Sequence, residues 1–237
     1  SSIFAASFQK NPASASFGSI VSTPKPGWSG TDITHLAAGR PFMVDTDVNG
    51  AALAEGRWGA AQGLTSWAYV TVGTGIGVGS IVSGMPVRGL GHSEAGHMRV
   101  PRAAGDDFAG NCPFHGDCLE GLANGPAIEA RTGQRGRDVS ADDPQWSFVA
   151  HALAAMCHNL ALTSLPQRIL IGGGVAMGQP QLMPLIRDGL TASLAAYGAA
   201  AAIASMDDYV AHPALGDRAG PLGTIALADM ALTASRR

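Results

Sequence analysis

An α/β enzyme fold is predicted for this 237-residue chain. Three observations predict it. Strand-like and helix-like segments alternate along the sequence. Its 32 glycines and 46% hydrophobic residues suit a covered sheet with many tight turns. The length fits one large domain or two lobes, enough to bury a sizeable core.

The elements follow in order. Residues 3–8 are a short apolar run, read as a strand. Residues 11–28 are rich in Pro and Ser and read as a loop around one short strand. PFMVD at 41–45 reads as a strand and the Ala- and Leu-rich stretch 50–63 as a helix. WAYVTVG at 67–73 and GVGSIVS at 77–83 are two strands joined across Thr74-Gly75, a hairpin signal. Within 144–165, Val149, Leu153, Met156 and Leu160 recur at helical spacing and mark one buried face. Asp143 can cap this helix, with Pro144 at its first position. Residues 168–171 form a strand that runs into Gly172-Gly173-Gly174. Residues 181–197 and 221–234 are further helices. No internal repeat is visible.

Charge and cysteine usage exclude several classes. Lys+Arg 15 against Asp+Glu 18 gives a net charge of −3 with no basic run, which argues against a nucleic-acid surface. Residues 1–8 carry no basic start of a signal peptide. The Ala-rich run 197–205 is too short, and too broken by Gly198, to span a bilayer. Three cysteines leave no disulfide framework once two are assigned to a metal, so a cytoplasmic, reducing location fits.

Those two cysteines lie in the most informative segment, residues 94–120. His97, Cys112, His115 and Cys118 stand in an H-x14-C-x2-H-x2-C arrangement. Short gaps between thiol and imidazole ligands let one loop wrap a tetrahedral ion, with the fourth ligand from a neighbouring segment. Four protein ligands close every position, so the ion is read as structural zinc rather than a catalyst with an open site. The plain alternative is a loop that happens to hold Cys and His. His92-Ser93-Glu94 mimics the H-x-E of zinc deaminases, but their Pro-Cys-x-x-Cys is absent.

Glycine-rich segments invite a nucleotide reading. Gly73-Thr74-Gly75-Ile76-Gly77 sits in the hairpin and fails G-x-G-x-x-G in every register, and the sequence has no Gly-Lys-Ser/Thr. A glycine hairpin flanked by Thr71 and Thr74 can still hold a phosphate through bare N–H groups and hydroxyls. A plain tight turn is the alternative. Gly172, Gly173 and Gly174 join strand to helix, where backbone can pack flat against a purine or form an ordinary turn.

Asp47 follows a predicted strand and stands at a helix start. The positive helix end favours its carboxylate, which can then accept a proton from a hydroxyl. Ordinary N-capping by an aspartate is the alternative, and Asp45 is a second candidate base. Glu94 and Glu120 flank the metal segment and can hydrogen-bond polyol hydroxyls, or be plain solvated charges.

Together these segments resemble the ROK (repressor, open reading frame, kinase) sugar kinases, within them the zinc-containing bacterial fructokinases. The resemblance is carried by TPKPGW at 23–28, DTDVNGAALAE at 45–55 and VTVGTGIGVG at 70–79. It continues in GHSEAGHMRVPR at 91–102, CPFHGDCLEGLANGPAI at 112–128, RILIGGGV at 168–175 and LGDRAGPLG at 215–223. The fold implied is the two-lobed actin-like ATPase (ribonuclease H-like) fold. The activity implied is ATP-dependent phosphorylation of a hexose, fructose to fructose 6-phosphate, with Mg2+ accompanying ATP and a homodimer as the assembly. The resemblance makes Asp47 the base and places Glu94, His97 and Glu120 on the sugar. It assigns His97, Cys112, His115 and Cys118 to zinc. Thr71, Gly73, Thr74, Gly75 and Gly77 fall to the phosphates, and Gly172–Gly174 to the adenosine. If His97 holds zinc, its other ring nitrogen faces the sugar, which couples the two sites.

One departure sets a further expectation. Family members begin with a strand–turn–strand carrying an Asp/Glu-x-Gly-Gly-Thr type motif, the first phosphate loop, and this chain has none. The first lobe is therefore expected to be N-terminally truncated, and activity lowered. Residues 1–46 are read as its remnant, completed by the C-terminal helix 221–237, and residues 47–220 as the second lobe. The alternative is a non-catalytic, zinc-stabilised sugar-binding or dimerising protein. A ROK repressor would need a helix-turn-helix, which no segment here supplies.

Overall fold

The structure is a computed structural model that describes residues 7–8, 15–16, 18–22 and 26–236. Most of the strand expected at 3–8, and parts of the loop at 11–28, lie outside the described residues. In chain order the elements are β1 (Ser7–Phe8), β2 (Ile20–Ser22), α1 (Asp47–Trp58), β3 (Trp67–Val72), β4 (Ile76–Val82) and β5 (Met85–Pro86). Then come α2 (Leu119–Ala123), α3 (Gly125–Thr132), α4 (Gln145–Thr163), β6 (Ile169–Gly172), α5 (Gly174–Gly178), α6 (Leu182–Leu194), α7 (Met206–Tyr209), β7 (Val210–Ala211) and α8 (Ala219–Ala234).

The main sheet has the order β5-β4-β3-β6-β7. β3 pairs antiparallel with β4 and parallel with β6, and β6 pairs parallel with β7. β1 and β2 form a separate antiparallel pair. Successive strand residues point to opposite faces, and here both faces are covered. On β3, Ala68, Val70 and Val72 enter a core shared with Leu153, Met156, Leu160, Ile186 and Leu190 of α4 and α6. Trp67 and Tyr69 enter a second core with Val48, Ala51, Ala52 and Leu53 of α1 and Ala226 of α8. The result is a three-layer arrangement with the mixed sheet in the middle.

Three local features explain the helix positions. The α1 stretch is Ala- and Gly-rich on the side that meets α8, so Gly50 and Gly223 touch backbone to backbone. The Trp67 indole N–H donates to the Ala52 carbonyl at 2.9 Å, which locks α1 onto the sheet. Buried Glu55 accepts from the backbone N–H groups of Ala60, Ala214 and Leu215 at 2.7, 3.1 and 2.9 Å, tying the end of α1 to the segment before α8.

Two sequence expectations need correction. Residues 41–45 are not a strand: they run as irregular chain into α1. Asp45 there is drawn into side-chain contacts instead, accepting from Asn49 at 2.8 Å and pairing with Arg88. The residue capping α1 is Thr46, whose side chain accepts from the Asn49 N–H at 3.2 Å, so α1 begins three residues before the predicted 50. Asp143 behaves as expected for α4, accepting from the Gln145 N–H at 2.8 Å, although Pro144 sits at the cap rather than inside the helix. Among the described residues no helix is long and apolar enough to cross a membrane.

Candidate functional site: a metal cluster beside a glycine hairpin

The site is built at the carboxyl ends of β3 and β6. Thr71 faces Gly77 across the antiparallel pairing and Gly172 across the parallel one. The two glycine-rich segments read from the sequence therefore meet in one row of the sheet, as ligand sites of open α/β sheets do. Gly173 follows with φ +90°, and a Cβ there would lie 2.5–2.7 Å from Val72 backbone and the Thr71 hydroxyl. Only glycine fits so close an approach. The turn Gly172–Gly174 thus lies flush against Thr71 and Val72, at the base of the hairpin Gly73–Gly75.

The candidate metal ligands come from two segments. His97 ends a short 3-10 turn (Ala95–His97), and Cys112, His115 and Cys118 lie on a loop that leads into α2. That loop closes on itself through Cys112 and Gly116, whose backbone groups exchange hydrogen bonds of 3.0 and 2.9 Å. The Leu119 N–H donates to the Met98 carbonyl at 3.0 Å, which brings the two segments together. One ligand atom from each of His97, Cys112, His115 and Cys118 lies within 4.8 Å of every other. Cys112 Sγ is 3.7 Å from His97 Nδ1 and 3.8 Å from His115 Nδ1, and Cys118 Sγ is 3.5 Å from His97 Nδ1. Two thiols and two imidazoles at these separations fit one small cation. Burial raises the Cys118 thiol, and the Cys112 thiol beside it adds to this; a bound cation reverses that by taking the thiolate. The remaining cysteine, Cys157, is fully buried in α4, and burial pushes its thiol up to about 12.

The polar residues expected on the sugar surround this cluster. His97 presents Nδ1 to the thiols, which leaves Nε2 facing Glu120 Oε1 at 4.0 Å. The other oxygen of Glu120 accepts from the Ile76 N–H of the hairpin at 2.9 Å. A side chain at Gly96 would collide with the Ile76 carbonyl, so the turn carrying His97 lies directly on that residue. Glu94 pairs with His92 at 2.8 Å. Asp47 is exposed in the first turn of α1, where Val48 packs on Gly77 and Gly79. Its Oδ1 accepts from the Val48 N–H at 2.9 Å. Asp45, the other candidate base, is committed to Asn49, Arg88 and the Thr46 N–H.

Two residues of the site had no role in the sequence reading. Asn124, between α2 and α3, donates to the Thr74 carbonyl at 3.0 Å. Its signal was present: Asn before Gly-Pro is a helix-start pattern, and Asn124 Oδ1 accepts from the Ala127 N–H at 2.8 Å. Arg131 holds Asp106 at 2.6 and 2.8 Å behind the metal loop. No local pattern announces that pair, because its members stand 25 residues apart.

The ROK family model matches residues 11–231. This chain belongs to the ROK family. Among curated relatives, it is 42% identical over 225 residues to a fructokinase of Pediococcus pentosaceus, an alignment covering 94% of this chain and 77% of that protein. It is 41% identical over 222 residues to a fructokinase of Zymomonas mobilis, covering 91% of this chain and 72% of that one. Among solved structures, the ROK hexokinase from Thermus thermophilus superposes with a TM-score of 0.75 at 28% identity, covering 92% of this chain and 75% of that chain. The mixed sheet with helices on both faces is thus the actin-like ATPase architecture of ROK sugar kinases.

Proposed function

We propose that this ROK protein transfers the γ-phosphoryl group of ATP to a hexose, converting fructose to fructose 6-phosphate. The observation that carries the reading is the line of contacts His97–Glu120–Ile76: a candidate sugar-binding pair attached directly to a candidate phosphate hairpin. The relatives at 42% and 41% identity named fructokinase favour fructose among hexoses. The site residues named for this reading all lie within 47–220.

The roles are those the family resemblance implies, and the contacts above support them. His97 Nε2–H, Glu120 Oε1 and Glu94 hold the sugar hydroxyls. Thr71, Gly73, Thr74, Gly75 and Gly77 cradle the phosphates, and Gly172–Gly174 present flat backbone to the adenosine. Asp47, at the positive end of α1, takes the proton of the attacking hydroxyl. The sugar oxygen then bonds to the γ-phosphorus as the bond to the β-phosphate bridging oxygen breaks, and ADP leaves. Positioning and charge neutralisation supply most of the rate in such transfers. ATP enters with Mg2+, which spreads the charge of the β- and γ-phosphates.

Zinc is the ion proposed for the four-ligand cluster. A tetrahedral zinc with bonds of about 2.3 Å to sulfur and about 2.0–2.1 Å to nitrogen sets sulfur and nitrogen about 3.6 Å apart. The three separations of 3.5–3.8 Å match that figure. Bound there, zinc cross-links the loop to the turn carrying His97 and fixes the tautomer that leaves Nε2 as a donor. Thiolate ligation requires reduced cysteines, in keeping with a cytoplasmic setting. The proposal extends to a homodimer, the assembly the family resemblance implies.

Replacement of Asp47 tests the chemistry. Asp47→Asn keeps the size and hydrogen-bonding reach but cannot accept the proton at neutral pH. Turnover is expected to fall by about 10²–10⁴-fold, with fructose binding largely kept. Retention of most of the turnover would remove Asp47 from the mechanism.

A further inference from the structure

Inside the hairpin the Gly73 N–H donates to the Gly75 carbonyl at 2.9 Å, and the α2–α3 junction grips it from outside. Three groups of the α2–α3 junction grip it: Glu120 on the Ile76 N–H at 2.9 Å, Asn124 Nδ2 on the Thr74 carbonyl at 3.0 Å, and the Gly125 N–H on the Gly73 carbonyl at 2.7 Å. Of these three, Glu120 and Asn124 grip it with side chains. Asn124 is buried, 7% exposed, and both of its amide atoms are used: Oδ1 caps α3 and Nδ2 reaches the hairpin.

The consequence follows from peptide geometry. In a trans peptide the C=O and N–H lie in one plane and point in opposite directions. The Gly73 and Thr74 carbonyls are both drawn toward the α2–α3 junction. The N–H groups of the same two peptide planes, those of Thr74 and Gly75, therefore point away from it, on the exposed side of the hairpin. Two successive N–H groups so aimed form a concave anion site. α2 begins at the residue after the metal ligand Cys118 and ends at the residue before Asn124.

We propose that Asn124 is a positioning residue for nucleotide binding, which aims the Thr74 and Gly75 N–H groups at the ATP phosphates. The proposal rests on the kinase reading above. In this role Asn124 acts on the phosphates through the Thr74 carbonyl rather than by direct contact.

The test compares Asn124→Ser and Asn124→Asp with the unaltered zinc-loaded chain. Both replacements retain an oxygen able to cap α3; aspartate has no donor for the Thr74 carbonyl, and the serine hydroxyl, one atom shorter than the amide, does not extend to it. Serine removes the bond without adding charge near the phosphates. Binding of Mg2+ with a non-hydrolysable ATP analogue, and separately of fructose, is measured by calorimetry, alongside melting temperature and zinc content. Loss of one orienting hydrogen bond is expected to weaken nucleotide binding by roughly 5- to 10-fold in Asn124→Ser, and more in Asn124→Asp. Fructose affinity, zinc content and, within a few degrees, melting temperature stay as in the unaltered chain. Nucleotide affinity unchanged in Asn124→Ser, or nucleotide and fructose affinity falling together, overturns the proposal while leaving the kinase reading intact. An unaltered chain that binds neither ATP analogue nor fructose overturns both.

Discussion

Replacing Arg131 by leucine probes how the metal loop is held from behind. The Arg131 and Asp106 side chains are 1% and 4% exposed, joined by two bonds of 2.6 and 2.8 Å. Arg131 also donates to the Leu122 carbonyl at 3.3 Å and lies over the Phe108 ring at 4.4 Å. Leucine leaves the Asp106 carboxylate buried without that partner. Breaking a buried pair on one side costs about 3–5 kcal/mol. Arg102, 3.6 Å from Asp106, stays in place and tempers the loss, so the lower end applies, about 3 kcal/mol. For a chain of this size that is a drop of roughly 6–12 °C in melting temperature. Thermal and denaturant unfolding at pH 7 read it. The double replacement Asp106→Leu/Arg131→Leu should lose less than Arg131→Leu alone, because no buried charge is stranded.

The same pair fixes an acid-side signature. The hydrogen bonds from Arg131 hold the Asp106 carboxyl below its usual range. A depressed folded pKa contributes stability above the unfolded value of about 3.9 and loses it as pH falls through the folded value. The unaltered chain should therefore lose stability below about pH 4 more steeply than Arg131→Leu does. A loss under about 1 kcal/mol in Arg131→Leu at pH 7, or a double variant less stable than the single one, would refute the reasoning.

Further outcomes concern the metal and the turn. Cys118→Ser should lower zinc content and melting temperature together, and chelation should expose Cys112 and Cys118, but not Cys157, to alkylation. Elemental analysis and mass spectrometry of the alkylated chain check both; a zinc-free protein of unchanged stability contradicts them. Gly173→Ala should weaken nucleotide binding and cost about 1–3 kcal/mol, since its φ of +90° and its neighbours at 2.5–2.7 Å leave no room for a methyl group. Zinc content should not change.

Much of this site was legible in the sequence because its signals are local. The Cys-x2-His-x2-Cys spacing names three candidate ligands on one loop, and the structure brings their ligand atoms together with that of His97. Alternation in WAYVTVG and the Thr74-Gly75 turn identify β3 and β4 without any structure. What the sequence could not supply was pairing at a distance. The row joining Gly77, Thr71 and Gly172 depends on β3 lying parallel to β6, about one hundred residues on. The misread strand at 41–45 has the same cause: an apolar run resembles a strand, but a strand needs a neighbour, and Asp45 is engaged by Arg88 and Asn49 instead. Asn124 was readable as a cap, whereas its second bond, to Thr74, spans 50 residues and has no sequence signature.

The most direct test of the central claim is a coupled ADP-release assay on zinc-loaded chain with Mg-ATP and a panel of hexoses. ADP release should depend on added hexose, be fastest with fructose, yield fructose 6-phosphate, and fall with Asp47→Asn. Metal-replete, folded protein that releases no ADP with any hexose would contradict it.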